Sequence, residues 1–146
     1  MFSQNFYIRF LFLLFGVIVF SGCGNYLAVK GKVVFEDGTP LECGTIIFQS
    51  ESHYARGTIR TGGNFVIGSD KEQDGVPSGH YKVFITGAQT IQPDFVPKPG
   101  KDDVGYVSLI DPIYSSVETT PIMYDIDKNN YFEIKVKPFI NSAKAQ

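Results

Sequence analysis

Beyond residue 28 the chain alternates apolar and polar positions with a period of two, broken by clusters of Gly, Pro, Asp and Asn, and nowhere sustains a helical period. From Val29 to Glu36, Val29, Gly31, Val33 and Phe35 fall on one face, while Lys30, Lys32 and Glu36 lie on the other with Val34, which predicts a half-buried strand. Asp37-Gly38-Thr39-Pro40 predicts a turn, with a glycine for positive φ and a proline that cannot continue a ladder. Strands are expected at Thr45–Gln49, Tyr54–Thr61 and Phe65–Ile67, the last two joined by Thr61-Gly62-Gly63-Asn64 as a hairpin. In the strand His80–Thr86, Tyr81, Val83 and Ile85 share one face and His80, Lys82, Phe84 and Thr86 the other. Pro121–Ile126 and Tyr131–Lys137, separated by Asp127-Lys128-Asn129-Asn130, read as a closing hairpin.

Seven strands of this kind predict an all-β domain, a small β-sandwich whose two sheets each bury one face. The stretch 87–116 fits least well. It holds Pro93, Pro97, Pro99 and Pro112 and is long for a structureless loop, so Val104–Ile110 is expected to supply a short edge strand within it.

The segment ahead of the domain has a different pattern. Met1–Arg9 carries one base and no acid, and the apolar run Phe10–Phe20 follows directly, in the order of an export signal. Eleven residues of helix rise only about half the thickness of a hydrocarbon core, too short for a permanent span. Phe20-Ser21-Gly22-Cys23 resembles the bacterial lipobox, although Phe20 stands where Leu, Val or Ile is usual. Ser21 and Gly22 leave room for a membrane-embedded peptidase to reach the backbone. The expectation is a lipoprotein signal peptide over 1–22, cleaved before Cys23, with lipid attached to that cysteine. Residues 23–28 would form the tether, 29–138 the sandwich with its long loop 87–116, and 139–146 a tail. The partner implied is a membrane, reached through two or three acyl chains on the extracytoplasmic side of a cell envelope. Gly24 stands where an aspartate would favour inner-membrane retention in enterobacteria, which tips the expectation towards the outer membrane.

Charge and cysteine count narrow the function further. The 146 residues hold 13 bases and 15 acids; without residues 1–22, whose sole charge is Arg9, 124 residues remain with a formal charge of −3. That is the size of one domain, and it offers no basic patch for nucleic acid. Cys43 is the only other cysteine, so with Cys23 acylated no disulfide is expected; it reads as a buried, inert thiol at the start of a strand.

The succession of Val33 and Gly38–Leu41, Thr45-Ile46-Ile47-Phe48, Gly57–Phe65 and Asp74-Gly75-Val76-Pro77-Ser78-Gly79-His80-Tyr81-Lys82-Val83 resembles the carboxypeptidase regulatory-like lipoproteins abundant in planctomycetes. Ile110-Asp111-Pro112-Ile113-Tyr114 and Glu118-Thr119-Thr120-Pro121 also match their segment before the last two strands. The resemblance covers nearly the whole exported chain and implies a transthyretin-like (prealbumin-like) sandwich with no activity established for most members. Its most specific piece is Pro77-Ser78-Gly79-His80-Tyr81, whose tyrosine is expected to turn its ring inward and its hydroxyl to a partner.

No nucleophile elbow, phosphate loop or HExxH helix follows the signal segment, so neither a catalytic residue nor a cofactor is expected. Asp70-Lys71-Glu72-Gln73-Asp74-Gly75 opens like an EF-hand loop, but its twelfth position is Tyr81 instead of a bidentate Glu; a hydrated acidic loop is expected, with a looser calcium site through Asp70, Glu72 and Asp74 as the alternative. His53 and His80 stand at no metal-ligand spacing. Hydrolases on the transthyretin scaffold end in Tyr-Arg-Gly-Ser, whereas this chain ends Ser142-Ala143-Lys144-Ala145-Gln146. Tyr54, Tyr106, Tyr114, Tyr124 and Tyr131 offer rings for a glycan, and Lys30 or Lys32 with Asn129 or Asn130 an isopeptide crosslink. The reading reached is a non-enzymatic envelope lipoprotein with a structural, adhesive or protein-interaction role; the alternative is a module that binds glycan or peptide at the same surface.

Overall fold

The computed structural model describes residues 26–69, 74–96, 105–127 and 130–140. Eleven strands follow one another: β1 Tyr26–Leu27, β2 Lys30–Phe35, β3 Thr45–Gln49, β4 Tyr54–Thr58, β5 Asn64–Val66, β6 Val76–Pro77, β7 Gly79–Thr86, β8 Gln89–Ile91, β9 Tyr106–Ser108, β10 Met123–Ile126 and β11 Tyr131–Val136. Among the described residues there is no α-helix, only two 3-10 turns at Thr61–Gly63 and Pro112–Tyr114. The described residues form an all-β fold.

Two larger sheets carry the fold, one ordered β10-β7-β3-β4 and the other β11-β2-β5. Together they use the seven segments that the alternating pattern marks as strands. The inward face of the first contributes Ile46, Phe48, Ala55, Tyr81, Val83 and Ile85 to the core, and that of the second Val33, Phe65, Phe132, Ile134 and Val136. Phe48 lies between them, its ring centroid 6.2 Å from Phe65, 6.3 Å from Phe132 and 6.3 Å from Tyr81. Such tilted contacts suit the ring quadrupoles and add to the stabilisation from burial.

Strand positions follow the sequence pattern, but both expected hairpins are corrected. β10 pairs antiparallel with β7, from Met123↔Lys82 to Ile126↔Gly79, whereas β11 pairs in parallel with β2, from Tyr131↔Lys30 to Val136↔Phe35. The chain therefore crosses from one sheet to the other between them. Four connecting residues can span about 13 Å, enough for the roughly 10 Å between packed sheets. Alternation dictates which side chains turn inward and leaves open which strand supplies the ladder. β4 and β5 diverge in the same way. Arg60 N–H still donates to the Asn64 carbonyl (2.8 Å) and Arg56 exchanges bonds with Gly68, but β5 builds its ladder on β2.

Two glycines carry specific burdens. Gly38, at φ 85°, shapes the turn after β2, where Thr39 N–H and Oγ1 both donate to Asp37 Oδ1 at 2.9 and 2.6 Å. Those bonds, the side-chain one first, hold the Asp37 carboxyl below the ordinary carboxylate range. Gly31 sits in β2 where a Cβ would fall 2.0 Å from the Phe132 carbonyl oxygen and 2.7 Å from the end of the Phe65 ring. The parallel contact of β2 with β11 is thus as close as a hydrogen side chain permits.

Within the stretch after β7, the described residues 87–96 and 105–116 hold more regular structure than its prolines suggest. β8 and β9 form a two-stranded ribbon, Gln89↔Ser108 to Ile91↔Tyr106, in place of the single edge strand expected at 104–110. Ile110 and Tyr114 then dock into the core. Asp111 caps the 3-10 turn through a bond from Ile113 N–H (3.0 Å).

β7 begins at the Pro77-Ser78-Gly79-His80-Tyr81 turn. Tyr81 is buried, and its Oη donates to the Pro77 carbonyl at 2.9 Å, in the role the sequence suggests. Burial raises the Tyr81 phenol above its ordinary value of 10.0. An acid whose pKa rises on folding binds its proton more tightly in the native state, so the stability is complete below the unfolded value and is lost as pH rises through the folded one.

Two measurements test this account. Gly31→Ala is expected to lower stability by roughly 1–3 kcal/mol, read from the urea midpoint, because the added methyl overpacks the β2–β11 contact. Tyr81→Phe is expected to lose about 1 kcal/mol at neutral pH and to show a shallower loss of stability above pH 10 than the parent protein.

Candidate functional site

One end of the molecule gathers the chemistry. The chain enters there at Tyr26, which pairs with Pro77 beside the start of β7. The antiparallel β3–β4 pair, Gln49↔Tyr54, places the connecting loop 50–53 at this end. The register Ile126↔Gly79 places the end of β10 there too, and the Lys30 N–H to Asn130 carbonyl bond (2.9 Å) adds the approach to β11. We refer to it as the entry end; the turns at 36–39 and 61–63 lie at the opposite end.

An open depression of about 960 Å³ lies beside it, lined by His53, His80, Lys82, Met123, Tyr124 and Asp125 among others. Both histidines of the chain face it, although 27 residues of sequence separate them. Pairing of Gln49 with Lys82 brings the β3–β4 loop against the start of β7. No spacing rule applied along the chain would have found this juxtaposition.

The loop is held by its own bonds. Ser50 N–H donates to the His53 carbonyl at 2.9 Å and His53 N–H to Ser50 Oγ at 3.0 Å, while Ser52 Oγ lies 2.8 Å from His53 Nδ1. Across the strands, His80 Nδ1 is hydrogen-bonded to Asp125 Oδ1. Those two side chains are 90% and 76% exposed, which places the pair in water, where such bonds contribute little. Lys82 Nζ donates to the Val117 carbonyl at 3.1 Å. Tyr124 is half-buried, its ring 4.6 Å from Phe132 and its Oη donating to the Glu133 carbonyl at 3.2 Å. Burial, and then the Glu133 charge, raises the Tyr124 phenol above its ordinary value.

This arrangement presents donors, acceptors and the exposed thioether of Met123 to a ligand. The Ser52–His53 pair joins sequence neighbours in an exposed loop, and the His80–Asp125 pair stands apart on the strands. Among the described residues no three His, Cys, Asp or Glu side chains group to hold a metal ion.

The structure distributes the residues singled out from the sequence. Cys23, Asp70, Glu72 and Asn129 lie outside the described residues. Asp74 serves its own loop, its Oδ1 accepting from Ser69 N–H at 2.7 Å. Cys43 is only half-buried, a correction to the expected buried thiol, and its Sγ lies 3.6 Å from the Gln89 carbonyl oxygen. Of the residues named for an isopeptide crosslink, Lys30 and Asn130 are exposed and Lys32 is half-buried. The five tyrosines do not form one platform: Tyr114 is in the core, Tyr106 is on the β8–β9 ribbon, and Tyr54 and Tyr131 are exposed at the heads of β4 and β11.

No family model matches the chain, and no curated protein or solved structure matches it significantly.

His80→Ala and Asp125→Ala are each expected to lower stability, read from the urea midpoint, by less than about 1 kcal/mol, since both side chains are hydrated; a larger loss would show that the pair supports the fold.

Proposed function

We propose that this protein is a lipid-anchored, non-enzymatic component of a bacterial cell envelope, displaying one β-sandwich in a structural, adhesive or protein-interaction role. The observation that carries the reading is Ser21-Gly22-Cys23 directly after the 11-residue apolar run that ends at Phe20, with Cys23 three positions ahead of Tyr26, where the first described strand begins. A short polar or small-residue link between an acylated cysteine and a folded domain is what surface display requires. The resemblance to carboxypeptidase regulatory-like lipoproteins supports the same reading and a transthyretin-like arrangement of the seven larger strands. The anchor would place the domain outside the cytoplasm, with the outer membrane favoured by Gly24.

A second reading draws on the depression lined by His53, His80, Met123, Tyr124 and Asp125, which offers mixed polar and apolar contacts of the kind that bind a glycan or an extended peptide. A concentration-dependent signal on a glycan or peptide array that disappears with His80→Ala would favour it over a purely structural role.

The test of the anchor is metabolic labelling with a palmitate analogue. The parent chain is expected to take up the label and Cys23→Ala to lose it completely; retention of label by the variant overturns the assignment.

A further inference from the structure

The route by which the chain enters its first strand, together with the exposed tyrosines, bears on how the domain stands on its membrane. Tyr26 opposes Pro77, so the entry point is beside the head of β7 at the entry end. Only two residues, Gly24 and Asn25, separate Tyr26 from Cys23, and that link reaches at most about 11 Å when extended. The polar headgroup layer is itself roughly 5–8 Å thick on each side of a bilayer. A domain tethered so closely has little freedom to turn its opposite end towards the lipid.

A separate observation singles out the same end. Four tyrosines are exposed among the described residues, and three of them stand there: Tyr26 (55%) at the chain entry, Tyr54 (51%) heading β4 after the 50–53 loop, and Tyr131 (50%) heading β11 after the β10–β11 crossover. Distant in sequence, they stand at one end because β1, β4 and β11 all begin there. A half-exposed tyrosine offers an apolar ring and a polar hydroxyl, a combination favoured at the boundary between acyl chains and water. Among the described residues, Glu51, Asp125 and Asp127 are exposed at this end against Lys30 and Lys82, which leaves no excess of positive charge to draw a strongly anionic surface.

We propose that the entry end is a lipid-contacting surface, with Tyr26, Tyr54 and Tyr131 resting among the headgroups of a largely zwitterionic bilayer and the turns at 36–39 and 61–63 pointing away from it. The depression beside this end then opens close to the lipid surface, and its ligand would be reached at the membrane. The inference rests on the lipoprotein reading of Cys23.

The experiment uses the full chain, lipidated in a bacterial host and reconstituted into phosphatidylcholine vesicles containing a lipid with a nitroxide-labelled headgroup. In a Cys43→Ser background, Ser52→Cys at the entry end and Thr61→Cys at the opposite end each take one fluorophore, because the acylated thioether of Cys23 is unreactive. Headgroup quenching is expected to be several-fold stronger at position 52 than at position 61. Replacing the three tyrosines by serine is expected to reduce that contrast while the protein still floats with the vesicles, and circular dichroism checks that the variant remains folded. Equal quenching at the two positions, or stronger quenching at 61, in floating protein overturns the orientation with the anchor intact. An unchanged contrast in the folded triple variant overturns the tyrosine contact. A chain that carries no lipid at Cys23 and does not float overturns the anchor, and the orientation with it.

Discussion

The burial of Phe48 between two sheets is the contact on which the rest of the molecule depends. Its ring meets Phe65 and Phe132 from the facing sheet and Tyr81 from its own, and it is fully buried. A four-stranded and a three-stranded sheet each present one apolar face, and neither would be stable with that face in water. Beside this cluster β2 and β11 approach so closely that Gly31 has no space for a side chain against the Phe132 carbonyl and the Phe65 ring. Tyr81 joins this centre to the turn at Pro77, so the ring cluster sets the position of the head of β7 and of the chain entry beside it.

Crossovers give the molecule its polarity. The chain passes between the two larger sheets after β2, β4, β5 and β10, and the passages after β4 and β10 turn an expected neighbour pairing into a pairing with a strand distant in sequence. The parallel β2–β11 pair results from the last passage. The edge that crossing leaves is covered in part by side chains, since the Tyr124 hydroxyl takes the Glu133 carbonyl while its ring packs on Phe132. Edges satisfied in this way are poor templates for unwanted strand addition, and the exposed charges of Glu133 and Lys135 on β11 act in the same direction.

The candidate site belongs to the loops and strand ends that these crossovers bring together. His53, His80 and Asp125 line one depression because β3, β7 and β10 are neighbours in one sheet, and the His80 and Asp125 side chains remain in water because the core lies on the other face. A site of this kind can change its residues without disturbing Phe48 or Tyr81, which separates what the domain recognises from what holds it together.

By itself the sequence marked the seven strands of the two larger sheets and the turn at Asp37–Pro40, because period two and turn chemistry are local properties that a single stretch of chain carries; it did not mark β1, β6 or β8, and Val34 and Phe84, on the faces read as outward, are buried as well. Tyr81 was legible for the same reason, since its partner Pro77 is four residues away. The export and acylation reading of Cys23 also comes from sequence alone and lies outside the described residues. Only the tertiary structure decided which strands pair, for a strand's alternation is equally satisfied by any neighbour that lets its apolar face turn inward. It decided that the stretch 87–116 holds a ribbon and a capped 3-10 turn docked by Ile110 and Tyr114, where prolines had suggested a loop. It also placed the two histidines in one depression and three exposed tyrosines at one end, since those proximities follow from strand order, which has no counterpart in the spacing of residues along the chain.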